Sequence, residues 1–194
     1  MWGAWNQHYP ATLGVCARNL RDAVSSVTRL PGDGQEEEKG GYPTIVVDAD
    51  GPRWVFWESF GWDIIIAKRA QRILASRYDR ARERWTLPYT LSRQEQTVLN
   101  QTPRAVVDRD GVLWVAWSGR PSADDVDQPW GIYLSRFTGD DWSAPVLVSA
   151  EGESSRAPDI VVGDDNRVWI TWHAGTGDAM KIKVLECERD GDIR

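Results

Sequence analysis

Apolar residues in this chain fall in short Val/Ile-rich runs bounded by Asp, Asn and Gly, the pattern of strands separated by tight turns. Three stretches carry it in register. Pro-Thr-Ile-Val-Val-Asp-Ala-Asp-Gly-Pro-Arg-Trp-Val-Phe-Trp occupies 43–57, Pro-Arg-Ala-Val-Val-Asp-Arg-Asp-Gly-Val-Leu-Trp-Val-Ala-Trp occupies 103–117, and Pro-Asp-Ile-Val-Val-Gly-Asp-Asp-Asn-Arg-Val-Trp-Ile-Thr-Trp occupies 158–172. The chain opens on Trp-Gly-Ala-Trp at 2–5, the tail of the same unit without its first strand. The second tryptophans, at 5, 57, 117 and 172, are 52, 60 and 55 residues apart.

Each unit predicts a strand, an Asp-x-Asp-Gly or Asp-Asp-Asn turn, and a returning strand that carries Trp-x-x-Trp. A third strand follows at Ile132–Phe137, then a turn at Gly139–Asp141 and a fourth strand at Val146–Ser149. Four antiparallel strands per repeat make the blade of a β-propeller. Positions i and i+3 of a strand point to opposite faces, so Trp54 and Trp57, like Trp114 and Trp117, load both sides of one sheet. A two-layer sandwich would wet one of those sides; stacked blades bury both. Each such ring removes about 150–250 Å² from water, about 4–6 kcal/mol gross.

The predicted fold is therefore all-β, a β-propeller fragment of about three and a half four-stranded antiparallel blades. It forms one partial domain over 1–194, with units at about 1–42 (incomplete), 43–102, 103–157 and 158–194 (incomplete). The end units do not complement each other into one shared blade. The remainder of the ring is expected from a longer protein or from a second copy, and a start in mid-strand favours the longer protein. The stretch 64–84 is ambiguous. Ile64–Lys68 and Ile73–Arg77 are both candidate third strands, while Ile66, Ala70, Ile73, Leu74, Tyr78 and Ala81 also fit a helical stripe. A strand with a basic excursion is the favoured reading.

Composition adds exclusions. Twelve tryptophans stand against three phenylalanines, and 41% hydrophobic with 27% charged residues marks a globular chain. A net charge of -6 disfavours nucleic acid, and no apolar run approaches a membrane span. No charged segment followed by an apolar one marks an export signal. Cys16 and Cys187 form no disulfide framework and read as small buried thiols; no cofactor or metal is expected. The Asp-x-Asp-Gly turns at 48–51 and 108–111 lack the further ligands of a calcium loop, and the third copy loses its first carboxylate. Lys68–Arg84 carries seven Lys/Arg against Asp79 and Glu83, a solvated excursion or a surface for an acidic partner. Glu36–Lys39 reads as a solvated loop between a fourth strand and the next first strand.

These residues resemble the sialidase-like propellers with BNR (Asp-box) repeats over about residues 2–186. Ser135, Gly139 and Trp142 sit at the spacing of the Asp box, with Phe137 where its aspartate belongs; Ser76 and Trp85 frame the preceding blade's version. The resemblance implies the propeller fold and an extracytoplasmic setting. Enzymes of the group use an arginine triad, a tyrosine–glutamate pair and an aspartate. Thr28-Arg-Leu-Pro31 is the nearest match to one of the arginine segments and lacks its aromatic residue. Sensor propellers of two-component regulators are the second resemblance. No catalytic residue is assigned.

Candidate ligand-binding residues follow the Trp-x-x-Trp strand, in loops expected to surround the mouth of the central channel. Asn6, Glu58, Ser118 and His173 are equivalent positions. His8, Trp62, Arg120, Asp124 and Trp130 lie further along, with Trp62 and Trp130 before a third strand. Aromatic rings beside hydrogen-bonding groups suit a carbohydrate or protein ligand. The expected function is a non-catalytic binding module; the alternatives are part of a glycoside hydrolase, or a sensor-type or dimerising half-propeller.

Overall fold

A computed structural model describes residues 39–48, 51–63, 68–92 and 96–187. Asn6, His8, the 2–5 repeat, Cys16, Thr28–Pro31 and Glu36–Glu38 lie outside the described residues. The regular secondary structure of the described chain is almost wholly β-strand. It divides between Ser92 and Arg93 into two compact units.

The first unit holds one sheet. β1 (Lys39–Asp48) pairs antiparallel with β2 (Gly51–Asp63), which pairs with β3 (Lys68–Asp79). Two short strands, β4 (Arg84–Trp85) and β5 (Tyr89–Thr90), complete the outer edge of β3. The basic stretch is thus strand, and Ile73–Arg77 lies inside it. Trp54 stacks on Phe56 at 6.0 Å on one face, while Val55, Trp57, Leu74 and Trp85 form a core cluster on the other.

The second unit holds two sheets. One runs β6 (Leu99–Val107), β7 (Leu113–Arg120), β8 (Gly131–Phe137), β9 (Val146–Leu147); the other runs β10 (Ser155–Val162), β11 (Val168–Ala174), β12 (Lys181–Cys187). Trp114, Ala116, Ile132 and Leu134 of the first sheet share one core with Ile160, Ile170, Trp172 and Ala174 of the second. Trp117, fully buried, lies outside that core, stacked on Tyr133 at 6.2 Å. The two rings of Trp-x-x-Trp therefore do serve opposite faces of the strand.

The repeat prolines mark β-bulges in mid-strand. Tyr42, Thr102 and Ala157, each preceding its proline, have φ of 47°, 52° and 51°. At each, two residues stand opposite one of the partner strand, the register stepping from Gly41 to Thr44, from Gln101 to Arg104 and from Arg156 to Asp159. The partner residue left facing each bulge is Trp57, Trp117 or Trp172. An extra residue bends the inner strand and locally disrupts its ladder, and the indole lies across from that bend.

The hairpin turn of the β6–β7 pair is organised by Asp108. Its Oδ1 accepts from the Asp110 and Val112 N–H groups at 3.0 and 2.9 Å, and its Oδ2 from Trp114 Nε1 at 2.9 Å. The carboxylate is thus committed to the turn and to the repeat tryptophan. In the next blade Gly163 replaces it, and a Cβ there would lie 2.8 Å from Asp165 Oδ1, which accepts from the Arg167 N–H instead.

Outer strands are tied by hydroxyls in both units. Ser76 Oγ donates to Thr86 O and Ser135 Oγ to Ser143 O, at 2.8 and 2.9 Å. Ser92 and Ser149 accept from the Ile73 and Ile132 N–H groups. The Asp-box-like turn closes with Phe137 against Trp142 at 5.3 Å; Tyr78 meets Trp85 in the same way at 5.2 Å. Among the described residues no helix is long and apolar enough to cross a membrane, and no group of three or more His, Cys, Asp or Glu could hold a metal.

Candidate functional site

The end of the second unit where β7, β8 and β10 meet concentrates unpaired polar chemistry. β7 finishes with Gly119 and Arg120, and the chain crosses to Trp130 through a loop that orders itself. Ser122 Oγ accepts from the Asp124 and Asp125 N–H groups, Asp125 Oδ1 from the Asp127 N–H, and Arg120 Nη1 reaches Val126 O at 3.5 Å. Trp130 is anchored to the adjoining blade, its carbonyl accepting from the Ser155 N–H at 2.7 Å.

Glycine leaves room for Tyr133 and Leu147. Gly119 and Gly131 face each other across the β7–β8 ladder. A Cβ on Gly119 would lie 2.8 Å from the Tyr133 ring, and one on Gly131 2.4 Å from Leu147. Both side chains can therefore lie close against backbone. The result is a cleft of about 370 Å³ with Trp130, Tyr133 and Leu147 as apolar wall and Gln128, Glu151 and Glu153 as polar rim. Burial pushes the Tyr133 phenol above its ordinary pKa. Glu153 meets Lys183 at 3.7 Å.

Trp130 is 5% exposed, and two guanidinium groups lie on it: Arg120 at 5.3 Å and Arg156 at 4.4 Å from the ring centroid. Trp130 Nε1, Arg120 Nε and Gln128 Oε1 are buried without a partner. Desolvation and then the nearby charge of Arg120 hold Arg156 below its ordinary pKa.

The structure brings together Arg120 and Trp130, with Asp124 exposed on the loop between them. His173 lies in β11, directly paired with Arg156. Five positions expected in loops are strand residues: Glu58 and Trp62 in β2, Ser118 and Arg120 in β7, His173 in β11. Strand pairing extends past the second tryptophan because the bulge preserves the ladder beyond it. Glu58 pairs with Gly41 in the first unit. Ser118 is a packing group: its hydroxyl lies 3.3 Å from Thr102 Oγ1 and accepts from the Ala157 N–H at 3.0 Å.

Arg156, Gln128, Tyr133, Glu151 and Glu153 were not legible as site residues. Arg156 had one signal, its place two residues before a repeat proline. The glutamates belong to the connection between blades and carry none.

No protein-family model matches the chain, and no curated protein matches it. Solved structures do. A thermostable family-43 glycoside hydrolase matches with a TM-score of 0.56 at 13% identity, over 94% of this chain and 66% of that one. The α-L-arabinanase of Cellvibrio cellulosa matches with 0.55 at 12%, over 94% and 68%. The Hadza microbial sialidase Hz136 matches with 0.56 at 13%, over 95% and 45%. The fold is that of a β-propeller. The chain spans about half to two thirds of the length of the propellers it matches. At these identities the likeness concerns the fold alone, and no family model supports Asp-box repeats as such.

Proposed function

We propose that this propeller chain is a carbohydrate-binding module whose ligand occupies the Trp130 cleft. The observation that carries the reading is the cleft itself. An indole and a phenol ring stand beside an amide whose oxygen lacks a partner and two carboxylates, in a volume within the about 300–1,000 Å³ of small-ligand sites. Aromatic faces stack on the apolar C–H faces of sugar rings, while amide and carboxylate groups bond their hydroxyls. The glycoside-hydrolase names of the fold neighbours support a carbohydrate ligand. In this reading the chain binds without catalysis, and further blades, from the same protein or a second copy, complete the ring.

A glycan array followed by calorimetry on the hits tests it. Gln128→Ala and Glu151→Ala, at the rim, are each expected to weaken binding about tenfold by removing a hydrogen bond to the ligand, without unfolding the protein. A folded protein that retains no saccharide on the array would overturn the reading.

Glu151 and Glu153 favour one second reading, glycoside hydrolysis, because two carboxylates on one cleft are the minimum such chemistry needs. Turnover of an aryl glycoside that is lost in both Glu151→Gln and Glu153→Gln would establish it. No turnover across a broad panel leaves the binding reading.

A further inference from the structure

Two of the three described sheets close their outer edge in the same way. β3 is finished by residues 85–92 and β8 by residues 142–149, and the two segments align without a gap as Trp-(Ser/Thr)-x-Pro-x-x-(Leu/Val)-Ser. Their bonds correspond as well. Thr86 and Ser143 donate their N–H groups to Arg77 O and Arg136 O, and their hydroxyls accept from the Arg77 and Arg136 N–H groups. Leu91 and Val148 donate to Ile73 O and Ile132 O, while Ser92 and Ser149 Oγ accept from the Ile73 and Ile132 N–H groups. Alternate residues of a strand turn both backbone groups to the same side, so Ile132, Leu134 and Arg136 direct theirs toward β9.

β12 repeats β8 in its pairing with the preceding strand. Ile182 stands opposite His173 as Ile132 does opposite Ser118, and Val184 opposite Thr171 as Leu134 does opposite Ala116. Glu186 stands opposite Trp169 as Arg136 does opposite Trp114. That register turns the N–H and C=O groups of Ile182, Val184 and Glu186 outward. No fourth strand pairs with them among the described residues, and Ile182 and Val184 are 73% and 60% exposed. Open backbone groups beside exposed apolar side chains form a template for one more strand. The pattern occurs twice in the sequence, and residues 1–38 and 188–194 contain no further copy of it.

Two positions of β12 differ from the closed sheets. Leu185 stands where Ser135 holds the Ser143 carbonyl, and Cys187 where Phe137 meets Trp142. An added segment is therefore recognised by its main chain and its two hydroxyls, and its tryptophan is dispensable.

We propose that the edge of β12 binds an extended peptide of the type (Ser/Thr)-x-Pro-x-x-(Leu/Val)-Ser from another polypeptide, as the fourth antiparallel strand of that blade. Its first and last hydroxyls accept from the Glu186 and Ile182 N–H groups. Its first N–H donates to Glu186 O, its penultimate N–H donates to Ile182 O, and the residue after the proline lies beside Val184. The inference is independent of the carbohydrate reading.

A synthetic peptide with the sequence of residues 140–150 tests it, by calorimetry and by amide exchange on the whole chain. One peptide is expected to bind per chain. Exchange at Ile182, Val184 and Glu186 is expected to be fast in the free protein and to slow about tenfold or more at saturation. Lys183 and Leu185, turned toward β11, should change little. In the peptide, Ser149→Ala is expected to weaken binding about tenfold, and N-methylation at Val148 to abolish it. In the protein, Val184→Pro removes an outward N–H from an edge strand, where proline is tolerated, and should weaken binding. The modified peptides decide the matter if that variant fails to fold. No binding, or equal binding of a scrambled peptide, overturns the inference. Slow exchange at the three residues in the free protein also overturns it; sedimentation then separates a second copy on the edge, a dimer, from a segment of the same chain, a monomer.

Discussion

Asn166, in the β10–β11 turn, hydrogen-bonds Asp110, in the β6–β7 turn of the preceding blade, its Nδ2 donating to Oδ2 at 3.0 Å. Its Oδ1 accepts from the Arg109 N–H at 2.7 Å, so one amide side chain latches two hairpins together. The residue sits at φ 64°, where asparagine is tolerated better than most residues. Asn166→Ala is expected to cost about 2–4 kcal/mol, combining a lost latch with left-handed strain. Asn166→Gly keeps the backbone comfortable and isolates the latch at about 1–3 kcal/mol. Urea denaturation of both variants checks this; equal losses would mean the backbone contributes nothing.

Ser118 offers a second interblade test. Its hydroxyl is the acceptor for the Ala157 N–H at the bulge of the next blade, and the residue is 1% exposed. Ser118→Ala leaves that donor without a partner, and a loss of about 1–3 kcal/mol is expected. Amide exchange at Ala157 should accelerate while exchange at Ile170, deep in the shared core, follows only the global change. Unaltered exchange at Ala157 would remove Ser118 from this role.

Cys187 is 4% exposed, and burial first, with the neighbouring Glu186 charge second, pushes its thiol up to about 11 from an ordinary 9.0. The folded state holds this proton more tightly than the unfolded chain. Between pH 9 and 11 the unfolded chain therefore binds fewer protons, and stability falls as pH rises through that window. The contribution is whole below pH 9. Melting temperatures of the wild type and Cys187→Ala should differ in their pH slope only above pH 9. The folded thiol should also resist alkylation at pH 8, since the thiolate is the reactive form. Rapid modification of folded protein at that pH would contradict the burial.

Strand identity, blade repetition and the division of labour between Trp114 and Trp117 were legible because side-chain parity is local. It needs only the two-residue period of a strand. The bulges were not legible, although their trace was present: each repeat proline precedes its second tryptophan by fourteen residues, at 43 and 57, 103 and 117, 158 and 172. Without a partner strand, a proline at such a spacing reads as a strand start. The extra residue becomes visible only when Gln101 and Arg104 are seen against Ser118 and Ala116.

The candidate site divides in the same way. Arg120 and Trp130 bracket one loop, so their proximity follows from chain continuity. Arg156 arrives from another sheet, and Ser118, equivalent by position to Glu58 and His173, is spent on holding a neighbouring blade. Equivalence of position in a repeat does not predict which copy is free to meet a ligand, because that depends on what the adjacent blade presents to it.

By itself, the sequence determined the all-β class, the blade repeat and the two-faced tryptophan strand, since these follow from periodicities that act over a few residues. Only the tertiary structure decided where the bulges fall, which hydroxyls and amides are consumed between blades, and that Arg156 joins Arg120 on one indole. Those depend on contacts between residues tens of positions apart, and local pattern carries no information about distance across a fold.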